Sequence, residues 1–190
     1  MTRVHLALFT TFIVLTLLIQ SGTVAASQDT SSVGKVIWVY FEAYRGNVSM
    51  FNATLTIMLP PFLSYEPQYH KPVVVTLANF TLNKEAFGSD EELIDVVIDE
   101  IVLVDKYSRV PLATILGQPL ISLLYSGEHM TETNDFRIAV DPLPTENLTV
   151  GRIQAVYTYS KFIQSSGEYK TYSELLTVKI VRVLEKTYTT

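Results

Sequence analysis

Between Leu148 and Glu185 the chain alternates apolar and polar residues with a period of two, and this alternation limits what everything else can fold into. In the first limb Ile153, Ala155, Tyr157 and Tyr159 share one face, while Gln154, Thr158 and Ser160 share the other, the pattern of a half-buried strand. The polar turn Ser165-Ser166-Gly167 leads into a second limb, Leu175 to Leu184, so the pair reads as an antiparallel hairpin. A hairpin alone is marginal in water and needs further strands over its apolar face. The expectation is an all-β domain with minor α content, built as an antiparallel β-sandwich.

The upstream segments supply those strands. Val36 to Tyr44 is apolar on both faces, with Ile37, Val39, Phe41 and Ala43 on one side and Val36, Trp38, Tyr40 and Tyr44 on the other. Such a strand wants cover on both faces, which predicts a central strand between packed layers. Lying behind a short polar tail, residues 27–35, it also suits a donor strand that inserts into a neighbouring subunit. Arg45-Gly46-Asn47 is a turn. Then Phe51, Ala53, Leu55, Ile57 and Leu59 point one way and Asn52, Thr54 and Thr56 the other, until Pro60-Pro61 ends the ladder. An aromatic, proline-punctuated loop over 62–72 precedes a β-branched strand from Val73 to Leu82. From Gly88 the signals conflict: Ser89 and Glu92 match a capping box, yet 96–104 is strongly β-branched. The reading is a short helical turn from Asp90 leading into a strand that ends by Asp105. Downstream, Leu112 to Tyr125 is broken by Gly117 and Pro119, Ser126 to Asn134 is a polar loop holding His129, and Phe136 to Val140 is a short strand. No linker interrupts 36–190, which is expected to be one domain.

Residues 1–26 read as an address. Arg3 precedes the apolar run Leu6 to Ile19, and Val24-Ala25-Ala26 suits cleavage after Ala26, so a signal peptide is expected. The rival, an uncleaved anchor, needs a slightly longer apolar run. The product is then secreted, extracellular or on the cell surface, with no membrane contact after cleavage. It keeps 164 of the 190 residues and, with Arg3 gone, 13 basic against 19 acidic side chains. That balance argues against nucleic acid and anionic lipid as partners. Charged residues at 17% and hydrophobic ones at 48% argue against disorder of the whole chain.

Cysteine is absent, which removes disulfides, thiolate metal sites and thiol nucleophiles. A secreted eukaryotic domain of this size often carries disulfides, so the composition leans toward a prokaryotic envelope. Sequons at Asn47, Asn52, Asn79 and Asn147 are candidate glycosylation sites, and several glycans without cysteine fit an archaeal cell surface.

Catalytic parts are lacking. His5 leaves with the signal peptide, while His70 and His129 lie in separate loops without metal-ligand spacing. No nucleophile elbow, P-loop or dinucleotide fingerprint occurs, so neither an enzyme nor a cofactor is expected. Asp90, Glu91, Glu92, Asp95, Asp99 and Glu100 carry enough oxygens for calcium but lack the EF-hand register. Acids near a helix start are more simply a solvated face favoured by the helix dipole. The 11 tyrosines suit a sugar-binding surface, or strands that need no ligand.

Val150-Gly151, the tyrosine-ended strand, Phe162, the turn Ser166-Gly167-Glu168 and the final Leu175-Leu176-Thr177-Val178-Lys179-Ile180 strand together resemble the ending of TasA/camelysin-type domains. The resemblance covers about a quarter of the chain and implies a jelly-roll-like secreted sandwich. Related architectures form archaeal extracellular filaments (bundling pili, threads, cannulae) whose subunits join by an N-terminal donor strand. It therefore implies a structural subunit that polymerises with itself head-to-tail, with Val36, Ile37, Trp38, Val39, Tyr40, Phe41, Ala43 and Tyr44 as the contact strand. The alternative is a monomeric cell-surface module that binds carbohydrate or another envelope protein.

Overall fold

The computed structural model describes residues 33–122 and 129–189. The expected signal peptide, its cleavage site and residues 27–32 of the expected tail lie outside them. The chain order is β1 Val33–Arg45, β2 Val48–Leu59, β3 Phe62–Leu63, β4 Val73–Leu82, a 3₁₀ turn Lys84–Ala86, β5 Glu91–Asp105, β6 Pro111–Ser122, β7 His129–Thr133, β8 Phe136–Ile138, β9 Leu143–Pro144, β10 Leu148–Ile163 and β11 Glu168–Thr189.

Every pairing is antiparallel. One nine-stranded sheet runs β7-β4-β2-β1-β11-β10-β5-β6-β8, and a small ribbon, β3-β9, lies apart from it. The large sheet folds over on itself into a nearly closed, barrel-like sandwich, with β6 and β7 brought close to one another. β11 makes the fold-over possible. Its first half, Glu168 to Leu176, pairs with β10; beyond Leu176 the hairpin parts, and Thr177 to Thr189 pair with β1. One strand thus belongs to both layers.

The core follows from the alternation. Ile37, Val39, Phe41 and Ala43 of β1 and Ala53, Leu55, Ile57 and Leu59 of β2 are fully buried, facing Ile98, Ile101, Leu103, Ala155 and Tyr157 of the opposite layer. A register shift opposite Ala43 and Tyr44 leaves Met50 as an extra residue on β2, so Met50 and Phe51 are both buried although adjacent.

Three expectations need correction. The helical turn from Asp90 does not form: β5 is strand from Glu91 onward, because its residues pair along β10, whose own period fixes the geometry. A helical turn forms earlier, at Lys84–Ala86, where the Asn83 side chain accepts from the Glu85 N–H. The tail is shorter than 27–35, since Val33, Gly34 and Lys35 already pair with Thr189, Tyr188 and Thr187. Gly34 is required there: a Cβ would lie 2.3 Å from Cζ of Tyr188, whose ring crosses it so that the hydroxyl donates to the Leu59 carbonyl at 3.0 Å. The polar loop 126–134 contains a strand, β7, which completes the edge beside β4.

Candidate assembly surface

β1 carries the residues singled out from the sequence, and the structure divides them between two environments. Ile37, Val39, Phe41 and Ala43 are inside with no exposed surface. Val36, Trp38 and Tyr44 are half-buried on the outer face and Tyr40 is 42% exposed. The strand lies between β2 and β11 in its sheet, but it is not covered on both faces as its composition predicts: within the single chain only its inner face is packed. Beside it on the outer face stand Met58 of β2 and Val181 and Leu184 of β11, all exposed. Trp38, Tyr40, Thr54, Val181, Arg182 and Leu184 line a depression of about 300 Å³ there.

Both ends of β1 are tied down by charges that the sequence gives no cue to. At its start Lys35 is 2% exposed on the inner face. Its ammonium donates to the carbonyls of Glu146 (2.8 Å) and Leu148 (2.6 Å) and pairs with Glu185 of β11 at 3.0 Å. It so caps carbonyls just where β10 and β11 have separated. Burial pushes the Glu185 carboxyl upward, but hydrogen bonds from Thr149, Lys35 and Lys106 outweigh it and hold the group below its ordinary range.

At the other end Arg45 forks between two carboxylates. Its Nη1 lies 2.7 Å and its Nη2 3.2 Å from Glu91, its Nε lies 2.9 Å and its Nη2 3.1 Å from Glu174, and Nη2 also donates to the Tyr159 hydroxyl at 3.1 Å. The guanidinium carbon sits 4.9 Å from the Tyr159 ring centroid, and that ring stacks on Tyr157 at 4.8 Å. Arg45 holds Glu91 below the usual carboxylate range, and Arg45 with Tyr159 does the same for Glu174. The hydrogen bond to Glu174 pushes Tyr159 up to about 12, and burial pushes Tyr157 up to about 12. At neutral pH the acids are ionised and the phenols protonated. The group is a clamp joining β1, β5, β10 and β11, with no member poised to exchange a proton.

Of the sequon asparagines, Asn47 is exposed in the turn after β1, Asn79 is exposed with φ of 53°, Asn147 is exposed just before β10, and Asn52 is half-buried on the outer face of β2. Asn52 lies opposite Thr81, which brings the Asn79 sequon beside it, while Asn147 lies at the far end of the sheet. The acidic run is spread along a strand. Asp90 and Glu91 face Lys161, Asp95 binds Ser122, Asp99 binds Gln154 and Glu100 binds Arg152. Among the described residues no group of three or more His, Asp or Glu is placed to hold a metal ion. His70 Nδ1 donates to the Ser64 carbonyl, 2.7 Å away, and the ring stacks on Phe136.

No protein-family model matches the chain, nor does any curated protein or solved structure.

Proposed function

We propose that the protein is a secreted structural subunit that polymerises head-to-tail into a cell-surface filament, with β1 exchanged between copies. The observation that carries this reading is the place of β1. It is the first strand of the described chain, it is hydrogen-bonded on both sides, and Ile37, Val39, Phe41 and Ala43 fill the inner slots between β2 and β11. Without β1 a subunit has a gap one strand wide, about 10 Å between the flanking strands. β1 of a second copy fits that gap with the same register and the same side-chain slots, so exchange changes only the turn at Gly46-Asn47, which must open. Where each copy donates β1 to one neighbour and receives it from another, the contact is head-to-tail and propagates. Exposed sequons at Asn47, Asn79 and Asn147 support a glycan coat, and the pattern of the C-terminal hairpin supports a relationship to TasA/camelysin-type domains.

A second reading, the monomeric surface module, is favoured by the clamps at Lys35 and Arg45 and by the two-residue turn, all of which hold β1 in its own chain. One experiment separates them. Tyr40 and Thr54 face each other across β1 and β2 on the outer face. The variant Tyr40→Cys/Thr54→Cys, in a chain with no other cysteine, is isolated from its native surface and bridged by oxidation or a short thiol-reactive linker. Exchange yields a ladder of covalent oligomers on a non-reducing gel. A single band at subunit mass with both thiols consumed overturns exchange and leaves the module.

A further inference from the structure

The outer face of the layer β7-β4-β2-β1-β11 is ordered in rows that the strand registers define. One row reads Glu132, Val74, Met58, Val36, Lys186, one residue per strand. The next reads Met130, Thr76, Thr56, Trp38, Leu184, and a third reads Ala78, Thr54, Tyr40, Arg182. Residues directly opposite in an antiparallel ladder share a face, so each row is a line of neighbours on one surface. Between Glu132 and Lys186 the first row is apolar, and among the described residues neither charge forms an ion pair within the chain.

We propose that this face docks on the same face of a second copy, about a twofold axis that lies in the interface and runs along β2. The charge pattern selects this occupant. Rotation about that axis reverses the strand order and keeps each row opposite itself, as an isologous contact requires. Glu132 then faces Lys186 of the second copy at both flanks, Val74 faces Val36, and Met58 meets its own copy on the axis. In the second row Met130, 68% exposed, faces Leu184, at the depression of about 300 Å³ that Trp38, Val181 and Leu184 line. Thr76 then faces Trp38 and Thr56 meets its own copy, so one operation puts apolar opposite apolar in the first row and at the flanks of the second, with opposite charges at the margins of the first.

The size fits a modest interface. Five strands about 4.8 Å apart and three rows about 6.8 Å apart give a patch of roughly 20 Å by 20 Å, about 800 Å² over the two copies, the size of a weak, reversible contact. The sheet is curved, so contact concentrates on β2, β1 and β4, and the margins are reached by the long side chains of Glu132 and Lys186. Asn52 stands on β2 two residues beyond Thr54, beside the axis, so a glycan there holds the two faces apart. This docking does not depend on exchange of β1.

The test is sedimentation of the chain produced without glycans, over a series from micromolar to millimolar subunit, with variants of exposed residues. The wild type is expected to dimerise reversibly, and Met58→Arg to weaken the dimer by more than about tenfold by placing two like charges on the axis. Glu132→Lys alone and Lys186→Glu alone are each expected to weaken it, and the two together to restore it. Met58→Cys is expected to oxidise to a covalent dimer, whereas Val140→Cys, at a position more exposed (63% against 41%) but off this face, is not. A chain that stays single at all concentrations overturns the proposal. So does a dimer that the double charge swap fails to restore, or one that persists with a glycan on Asn52.

Discussion

Replacing Arg45 by alanine tests whether the clamp at the end of β1 stabilises the fold. The guanidinium makes two hydrogen bonds to each of Glu91 and Glu174, and the Glu91 side chain is only 5% exposed, so its carboxylate has no recourse to water once the partner is gone. Lys161 is the next nearest cation, at 3.8 Å from Glu91. Breaking a buried pair from one side costs about 3–5 kcal/mol. Arg45 is itself 29% exposed and Glu174 is 39% exposed, which favours the lower end, about 3 kcal/mol. In a domain of this size that lowers Tm by about 6–12 °C.

The pH dependence gives a sharper test. Arg45 lowers the folded-state pKa of both carboxyls from the ordinary 4.5. Their stabilisation is therefore complete above about pH 4.5 and is lost as pH falls through the folded values. In Arg45→Ala burial acts on Glu91 without its main counter-charge and raises its pKa, so the variant is relieved by protonation as the wild type is weakened. The difference between the two is expected to be largest at pH 7 and to shrink to about 1 kcal/mol or less by pH 4. Urea unfolding at the two pH values measures it. A difference that is equal at pH 7 and pH 4 refutes the reasoning, because it shows that packing, not charge, carries the effect.

Two further outcomes follow from the core and from β1. Phe41→Ala removes a fully buried ring that meets Phe51 edge-on at 5.9 Å, and is expected to cost about 3–5 kcal/mol in chemical denaturation. Gly34→Ala pushes the Tyr188 ring off its site and breaks the hydroxyl's bond to the Leu59 carbonyl, at about 1–2 kcal/mol; Tyr188→Phe, which keeps the ring, is expected to cost less in the same assay.

Most strands are legible because one face of each is buried, and burial writes a period of two into the sequence. The alternation over Phe51 to Leu59 and Ile153 to Tyr159 is reproduced residue by residue in the packing. Where a bulge interrupts the ladder the pattern hides, as with Met50, or misleads, as over 90–101, where irregular register with β10 imitates helical spacing. The short edge strand β7 is illegible for a different reason: Met130 and Glu132 are exposed, Thr131 and Thr133 only half-buried, and the strand owes its form to β4. The surface around β1 was visible as a strand apolar on both sides. Its clamps were not, since Lys35 and Arg45 meet Glu185, Glu91 and Glu174 only through contacts 46 to 150 residues apart along the chain. The rows of the outer face likewise exist only once the four registers among β7, β4, β2, β1 and β11 are fixed.

The position of β11 sets the order in which this molecule can come into being. It is synthesised after every other described strand, yet it lies between β1 and β10 and holds the two layers together. A ribosome-bound or partly translocated chain that stops short of Glu168 has a β1 open on one edge and a β10 open on the other, and Lys35 without Glu185. The pairings β1-β2, β2-β4 and β5-β6 need only strands already made, but the joining of the two layers through β11 does not. β1 must wait, unpaired on one edge, until Thr177 to Thr189 arrive, and any factor that shields a nascent chain has to cover that edge for the whole interval.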